Sequence, residues 1–233
     1  MDGITDPAFR FVVDTIGKPD VLFTEFVSAD GLSRNIKTLF RTFVSHQTDT
    51  PLVAQLFGKH PDALAKAALL LRDYPIAGID INMGCPMRTV AFHGGGAGLI
   101  KTPKLAVSCI QAVKEALAGA EWNIPVSVKT RTGIDKPITE QWIQTLITAK
   151  PDAIILHGRT LAQMYTGHAD WSQIGIAAAL CNTAGIPLFG NGDIKTIADA
   201  RDKITFYRLR GVLVGRAAFG NPWVFSGVIP TAK

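Results

Sequence analysis

The stretch AGIDINMGCP, residues 77–86, contains a short apolar strand that ends at Gly84, Cys85 and Pro86. Glycine frees the backbone just before the cysteine, and proline stiffens the turn just after it. A cysteine in this position lies at the carboxyl end of a strand, where parallel α/β proteins build their active sites. The alternative is that Cys85 is a small buried hydrophobic residue, which is the usual role of a lone cysteine. From the decapeptide alone the two interpretations are about equally favoured.

Working outward from this strand, predicted strands and helices alternate along the whole chain. The predicted strands are mostly continuous apolar runs: 20–26, 51–57, 78–82, 125–129, 152–157, 186–190 and 211–215. Continuous apolar strands indicate burial on both faces, and therefore a parallel sheet flanked by helices. Such units fit an α/β fold of the (β/α)8 TIM-barrel type whose first strand lies upstream of Met1, because right-handed crossovers must close the sheet. An open, doubly wound sheet is the alternative.

Composition limits the class of protein. The chain of 233 residues is long enough for one large α/β domain, and no linker divides it. No apolar stretch reaches the roughly 18 residues of a membrane helix, and the first residues do not form a secretory signal. Three cysteines without a CxxC pair argue against a disulfide framework and a structural zinc site, so we expect a cytoplasmic protein without a metal. The net charge of +5 favours an anionic partner without specifying one.

Polar residues stand at the ends of the predicted strands. They are Glu25, Gln55, Asn82 with Cys85, Lys129 with Arg131, His157 with Arg159, Asn191 with Asp193, and Gly215 with Arg216. A buried strand end is normally apolar, because an unpaired polar group there costs ~1–3 kcal/mol. A polar residue at the end of every strand therefore predicts a lined pocket at one mouth of the barrel.

Two glycine-containing loops predict a phosphate site. GNGDI (190–194) and GVLVGRAAFG (211–220) follow what would be the last two strands of the barrel. Barrel enzymes most often hold a phosphate there, on backbone N–H groups and a short helix. Arg216 could add charge-assisted hydrogen bonds. The alternative is that these glycines only form tight turns.

Other candidates leave more than one role open. Lys129 could pair with an anionic ring or a phosphate, or form a Schiff base as in an aldolase. His157 is either functional or a hydrogen-bonded core residue. The run GGGAG (94–98) lacks the GK[ST] ending of a P-loop, and we interpret it as a mobile loop that hinges a lid near Cys85.

Together, these motifs resemble those of the tRNA-dihydrouridine synthases, which are flavin enzymes with an FMN-bearing barrel. The similarity extends over nearly the whole chain. It rests on MDGITDPAFR (1–10), PLVAQLFG (51–58), INMGCP (81–86), GGGAGLIKTP (94–103), VSVKTRTG (126–133), LHGRT (156–160), QMYTGHADW (163–171), GNGDI (190–194) and GVLVGRAAFGNPW (211–223). Each motif is weak alone, but their number and order make the match specific.

The resemblance implies a set of cofactor contacts. FMN would lie across the barrel mouth, with Met1, Asp2 and Gln55 around its isoalloxazine ring. Lys129 and His157 would hold the ring edge, the ribityl chain or the phosphate region. The phosphate end would be bound by Asn191, Gly192, Asp193, Gly215 and Arg216.

The resemblance also implies a reaction. NADPH or NADH would reduce the flavin, a hydride would pass to C6 of a uracil in tRNA, and Cys85 would give the proton to C5. An ordinary cysteine thiol is mostly protonated at neutral pH and can serve as that acid. The uridine must leave its stack to reach the flavin. Our candidates for contacts with the extruded nucleotide are Asn82, Arg34, Arg88, Arg159 and Tyr165.

Two features of the family are not found in this sequence: the first strand with its "AP" dipeptide, and a C-terminal helical domain that grips tRNA. We therefore expect residues 1–233 to form only the FMN-binding barrel domain, to bind tRNA weakly and to hold FMN incompletely. Three other functions stay open. They are an FMN-dependent dehydrogenase of a free pyrimidine (dihydroorotate or dihydropyrimidine type), a Schiff-base aldolase that uses Lys129, and a non-catalytic binding remnant.

Overall fold

The computed structural model describes residues 3–44, 48–87 and 94–227. Met1, Asp2 and Arg88, which are predicted site residues, lie outside the described residues. The strands within the described part are β1 (Leu22–Ser28), β2 (Leu52–Phe57), β3 (Gly78–Met83), β4 (Val126–Arg131), β5 (Ala153–His157), β6 (Leu188–Asn191) and β7 (Gly211–Leu213). All neighbouring strands pair in parallel, in the order of the chain.

Helices precede β1 and connect the strands. They are α1 (Pro7–Gly17), α2 (Ala29–Ser33), α3 (Pro61–Leu69), α4 (Pro103–Gly119), α5 (Thr139–Thr148), α6 (Trp171–Ala184) and α7 (Ile197–Tyr207). Local sequence explains where they begin. The Asp6 side chain accepts a hydrogen bond of 2.7 Å from the N–H of Phe9, and Pro7 occupies the first turn of α1, where its missing N–H is not needed.

The order of the strands identifies the architecture. In a doubly wound sheet the strand order reverses at a switch point, whereas here it follows the chain without reversal from β1 to β7. Parallel strands that are added in one direction, each with its helix on the outside, form a curled sheet of the TIM-barrel type. The predicted TIM-barrel class is therefore confirmed as a curled half-barrel of parallel strands with helices.

The strands have one apolar face and one polar face. Ile79 and Ile81 of β3 are fully buried, and they alternate with Asp80 and Asn82, which both hydrogen-bond to Gln55 of β2. Successive residues of a strand point to opposite sides of the sheet. The apolar face therefore packs on the helices and the polar face lines the inside of the curl. The sequence predicted strands that are mostly continuous apolar runs, and the polar inner face of β3 differs from that prediction.

The glycine run at 94–98 is not a mobile hinge. Residues 96–100 are all buried and belong to the short 3-10 helix Gly96–Lys101. The N–H of Ala97 donates a hydrogen bond of 3.3 Å to the carbonyl of Cys85. Gly96 has a φ of +52°, a conformation that a side chain disfavours, so the glycine permits this tight turn beneath the cysteine. The interpretation of this run as a mobile loop is wrong for the described residues 94–98.

Packing of the sheet against the helices should dominate stability. Replacing the fully buried Ile81 by Ala should lower the free energy of unfolding by roughly 2–5 kcal/mol, because the change removes buried apolar contacts and leaves a cavity. Ile176→Ala on α6 is the matched control: this side chain is 42% exposed, so the loss should stay within about 0.5 kcal/mol. Urea unfolding followed by circular dichroism measures both, and equal losses would contradict this account of the core.

Candidate functional site

Polar side chains gather on the inner face near the carboxyl ends of β2 to β6. The predicted residues that the structure brings together there are Gln55, Asn82, Cys85, Lys129, His157 and Asn191. The strand register explains why they meet. Asn82 lies beside Lys129 on the neighbouring strand, and His157 lies beside Asn191. Because these pairs stand at the same level of a parallel sheet, their side chains converge at one end of the curl.

Asn82 fixes the backbone that carries Cys85. Its Oδ1 accepts hydrogen bonds from the N–H groups of Gly84 (3.0 Å) and Cys85 (2.8 Å). Its Nδ2 donates a hydrogen bond of 2.9 Å to Oε1 of Gln55. Both ends of the Asn82 amide are thus used, and the cysteine side chain, 5% exposed, leaves the strand in a defined direction.

Asp80 continues this network deeper into the curl. Its Oδ2 accepts a hydrogen bond of 2.7 Å from Nε2 of Gln55, and its Oδ1 accepts one of 2.6 Å from Oγ of Ser127. The side chain is completely buried. Burial raises the pKa of the Asp80 carboxyl, while the hydrogen bonds from Ser127 and Gln55 and the charge of Lys129 act in the opposite direction.

Lys129 spans the inner face from β4 to β6. Its Nζ donates a hydrogen bond of 3.1 Å to Oδ1 of Asn191. Burial, together with the charge of Arg131, lowers the pKa of the Lys129 amine to about 8, although the charges of Asp80 and Cys85 oppose the shift. The amine is therefore a cation that can be discharged near neutral pH, placed within electrostatic reach of the cysteine.

His157 is neutral and oriented. Its Nε2 lies 3.3 Å from a guanidinium nitrogen of Arg159, and because arginine can only donate, Nε2 accepts and Nδ1 carries the hydrogen. Burial first, and then the surrounding cations such as Lys129, lower the pKa of His157 to about 2. The neighbouring Asn191 is also fixed, because its Nδ2 donates a hydrogen bond of 3.0 Å to the carbonyl of Leu213.

Asp193 binds both Arg159 and Arg216. Arg159 donates to its two carboxylate oxygens at 3.0 and 2.8 Å, and Arg216 donates to Oδ1 at 2.8 Å. The N–H of Ala169 adds a hydrogen bond of 2.8 Å. Burial would raise the pKa of Asp193, but these hydrogen bonds and the two positive charges hold it below its ordinary range. In this geometry the Asp193 carboxylate orients Arg159 and Arg216.

Two buried arginines hold the loop after β5, residues 160–167. Arg159 is 2% exposed and donates to the carbonyls of Thr166 (3.2 Å) and Gly167 (2.7 Å). Arg131 donates to two further carbonyls of this loop, at 2.9 and 3.1 Å, and to the carbonyl of Gly84 at 2.8 Å. These contacts give Arg159, predicted to touch the nucleotide, a role in supporting the loop.

The remaining predicted contacts lie at the surface. Tyr165 is 60% exposed, and the guanidinium of Arg216 lies 5.9 Å from the centre of its ring. Arg34 is exposed at the end of α2. The N–H of Gly3 donates a hydrogen bond of 2.7 Å to the Glu25 side chain, which ties the start of the described chain to β1.

Two glycines at the end of β6 and in the loop after it leave no room for a side chain. Gly192 has a φ of +130°, and a Cβ at this position would lie 2.5 Å from the Cβ of Ala169. A Cβ at Gly190 would lie 2.8 Å from the ring of Trp171. A backbone without side chains at these glycines can offer N–H groups to an anion, and Arg216, which binds the following Asp193, can add a cation. Gly215 precedes the short helix Arg216–Ala218 on the same side.

The sequence reasoning missed Asp80 and Ser127, and it gave Arg131 no role. A signal for the first two was present. Apolar and polar residues alternate in IDIN (79–82) and VSVK (126–129), which is the pattern of strands with one polar face. Among the described residues, no group of three or more His, Cys, Asp or Glu side chains could hold a metal ion. No helix within the described ranges is long and apolar enough to cross a membrane.

Comparisons with known proteins give one consistent family. A family model described as "Dihydrouridine synthase (Dus)" matches residues 1–233. A Treponema pallidum (strain Nichols) protein named "Probable tRNA-dihydrouridine synthase" is 32% identical over 227 residues, covering 96% of this chain and 66% of its own length. The Bacillus subtilis (strain 168) "Probable tRNA-dihydrouridine synthase 2" is 34% identical over 230 residues, covering 97% and 69%. The chain thus spans about two thirds of the length of these relatives.

Solved structures agree on the fold. A crystal structure of DHODH from Eimeria tenella in complex with ferulenol superimposes with a TM-score of 0.57 at 14% sequence identity. The superposition covers 86% of this chain and 60% of that chain. At this level of identity the similarity concerns the barrel architecture alone.

The lowered pKa of Lys129 should make the free energy of unfolding rise with pH. Its pKa is about 8 in the folded protein against an ordinary 10.5, so between these values the unfolded chain binds more protons and stability rises with pH. The free energy of unfolding of the wild type, minus that of Lys129→Met, should therefore increase from pH 8 to 10.5 by up to about 3 kcal/mol.

Subtracting the free energy of unfolding of Lys129→Met from that of the wild type cancels the contributions of other titrating groups. Burial raises the pKa of both Cys109 and Cys181 to about 12, which lowers stability as the pH rises above about 9 in wild type and variant alike. Chemical unfolding at several pH values provides the difference. A difference that stays constant or falls over this range would contradict the assignment of Lys129 as a buried, destabilised cation.

Proposed function

The chain belongs to the dihydrouridine synthase family, and on that premise we propose that it reduces the C5–C6 bond of specific uridines in tRNA, with FMN as its flavin and NADPH or NADH as the reductant. The observation that carries this proposal is the position of Cys85. Its backbone is held by Asn82 at the rim of an inner face lined with amide, amine and imidazole groups. A thiol fixed beside such a surface suits proton transfer to a flat polar substrate.

The residues present fit FMN. A flavin mononucleotide requires donors and acceptors for the polar edge of its ring and a cationic or N–H-rich site for its phosphate. Gln55 and Lys129 offer the first, and the backbone at Gly192 with the Arg216 side chain offers the second. When bound, FMN would supply the hydride that adds to C6 of the uracil.

Lys129 and His157 provide complementary contacts for the ring edge or the ribityl chain. Lys129 is held toward Asn191 and carries a charge that it can lose at mildly alkaline pH. His157 remains neutral. Its Nε2 accepts from Arg159, so Nδ1 carries a hydrogen that it can donate to the cofactor. One cationic donor and one neutral donor can thus bind a polar edge without accumulating charge.

Cys85 is the proposed proton donor. Reduction of the double bond adds a hydride at C6 and a proton at C5, and breaking the Sγ–H bond leaves a thiolate that solvent reprotonates. Lys129 and Arg131 both interact electrostatically with Cys85, so two positive charges lie where that thiolate forms. The uridine must be extruded from its stack to reach this position.

The surface around the mouth supplies candidate tRNA contacts. Arg34 is an exposed cation, and Tyr165 offers an exposed aromatic face for stacking. Arg159 supports this region indirectly, because it holds the loop that carries Tyr165. The net charge of +5 favours binding of the phosphate backbone.

The test of the proposal begins with the purified protein. We expect a yellow flavin spectrum, directly or after reconstitution with FMN, which NADPH or NADH bleaches. Incubation with tRNA from cells that lack dihydrouridine should then form dihydrouridine, detected by mass spectrometry of the nucleosides. Conversion of dihydroorotate or free uracil in place of tRNA would contradict the proposal. A protein that never binds FMN would also contradict it.

Replacing Cys85 by Ala should separate flavin chemistry from proton transfer. The flavin should still be reduced by NADPH at the wild-type rate, whereas dihydrouridine formation should fall by roughly 10²–10⁴-fold, the usual contribution of a general acid. Cys109→Ala is the matched control, because Cys109 is a fully buried core residue on α4. Stopped-flow reduction and tRNA turnover provide the two rates. Unchanged turnover in Cys85→Ala would exclude the thiol as the acid.

Replacing Gly192 by Ala should weaken FMN binding. The new Cβ would lie 2.5 Å from the Cβ of Ala169, so the loop must move away from the phosphate position. We expect the Kd for FMN, measured by quenching of flavin fluorescence, to rise at least about tenfold, equivalent to ~1.4 kcal/mol. Gly185→Ala also has a positive φ of +70° but nothing within 4 Å of its Cβ, so it controls for backbone strain alone. An equal effect of both substitutions would argue against a phosphate site at Gly192.

A further inference from the structure

A directed series of hydrogen bonds connects the core of the sheet to the cysteine. Ser127 and Gln55 donate to Asp80, and Asn82 donates to Gln55. The N–H groups of Gly84 and Cys85 donate to Asn82. The series runs in one direction, from the N–H groups of Gly84 and Cys85 through Asn82 and Gln55, and it ends at the Asp80 carboxyl group.

The direction of the series matters because two of its members are primary amides. An amide side chain can turn over and exchange its donor and acceptor ends, so Gln55 and Asn82 have no inherent direction. At one end of the series the backbone N–H groups can only donate. At the other end Oδ2 of Asp80 accepts from Gln55 and Oδ1 accepts from Ser127. With these two ends opposed, only one orientation of each amide satisfies every buried group.

We propose that Asp80 is a positioning residue that sets the orientation of Gln55 and Asn82 and thereby holds the backbone of Cys85 in place. Asp80 is completely buried, and its hydrogen-bonded path to the cysteine backbone runs through the two amides. Its consequence for turnover rests on the proposed function, whereas its consequence for the backbone of Gly84 and Cys85 does not.

Removing Asp80 would disturb the hydrogen bonds of both amides. Without Asp80, the inner amide hydrogen of Gln55 is left unpaired in a buried position, at a cost of ~1–3 kcal/mol. Turning Gln55 over does not remove this cost, because Oε1 then lacks a donor and the NH₂ of Gln55 meets the NH₂ of Asn82. If Asn82 turns in response, its NH₂ faces the N–H groups of Gly84 and Cys85. Each arrangement leaves a buried polar group unpaired or two donors in conflict, so the hydrogen bonds that hold the cysteine loop are weakened.

Asp80→Leu tests the proposal, with Ser127→Ala as its matched control. Leucine has the same branched arrangement of heavy atoms, with larger methyl groups, and removes the acceptor, whereas Ser127→Ala removes one hydrogen bond from Asp80 and leaves the path to Cys85 intact. We expect amide hydrogen exchange at Gly84 and Cys85 in the full chain to become at least about tenfold faster in Asp80→Leu and to stay within about twofold in Ser127→Ala. Equal exchange in wild type and Asp80→Leu would overturn the proposal.

Asp80→Asn supplies the rescue. Asparagine can accept from Gln55 through Oδ1 and donate to Ser127 through Nδ2, so the series keeps its direction without the charge. Exchange at Gly84 and Cys85 should therefore match the wild type. If Asp80→Asn exchanges as fast as Asp80→Leu, an acceptor at this position is not what holds the loop, and the proposal fails.

Gln55→Met provides a second variant should Asp80→Leu not fold. It cuts the series between Asp80 and Asn82 while Asp80 keeps its hydrogen bond from Ser127. Faster exchange at Gly84 and Cys85 is expected, and unchanged exchange would overturn the proposal.

Turnover provides the kinetic readout. In Asp80→Leu we expect kcat for tRNA reduction to fall by about 10–100-fold with KM within about threefold, because a misplaced proton donor affects the chemical step. Asp80→Asn should restore kcat, which general destabilisation would not do. If the exchange results hold but wild type and variants alike fail to reduce tRNA, the proposed function is wrong and the positioning role stands. Faster exchange with an unchanged kcat would overturn the link to turnover.

Discussion

The alternation of side chains along parallel strands is the constraint on which the site depends. A strand that buries Ile79 and Ile81 against the helices must turn Asp80 and Asn82 to the other face, and the neighbouring strands do the same at equal height. The curl of the sheet then brings these polar positions toward one another. The two-residue alternation of a strand thus places the hydrophobic side chains against the helices and the polar side chains on the inner face.

Much of the site could be predicted because a strand end is a local feature of sequence. Gln55, Lys129 and Asn191 each stand near the end of an apolar run, and the regular order of a barrel implies that such positions share one mouth. The contacts among them follow from this order. Lys129 reaches Asn191 across an intervening strand, as expected of side chains that point into a curled sheet.

The hydrogen-bond partners of these side chains could not be predicted from the sequence, because the paired residues are far apart in the chain. Gln55 and Asp80 are separated by 25 positions, and Arg159 and Asp193 by 34. An aspartate in a glycine loop could contact a ligand or another side chain, and only the fold shows that Asp193 binds two arginines. The buried run at 94–98 was misread for a similar reason, since glycines permit close packing as readily as motion.

A single guanidinium joins two loops that belong to different βα units. Arg131 donates to the carbonyl of Gly84, beside the cysteine, and to carbonyls of the loop that carries Tyr165. Only a planar side chain with several fixed donors can serve both directions, so lysine could not take its place without abandoning one loop. The thiol and the aromatic residue consequently share one frame. A displacement of either loop would break hydrogen bonds of the same guanidinium that holds the other, so Arg131 couples the positions of the two loops.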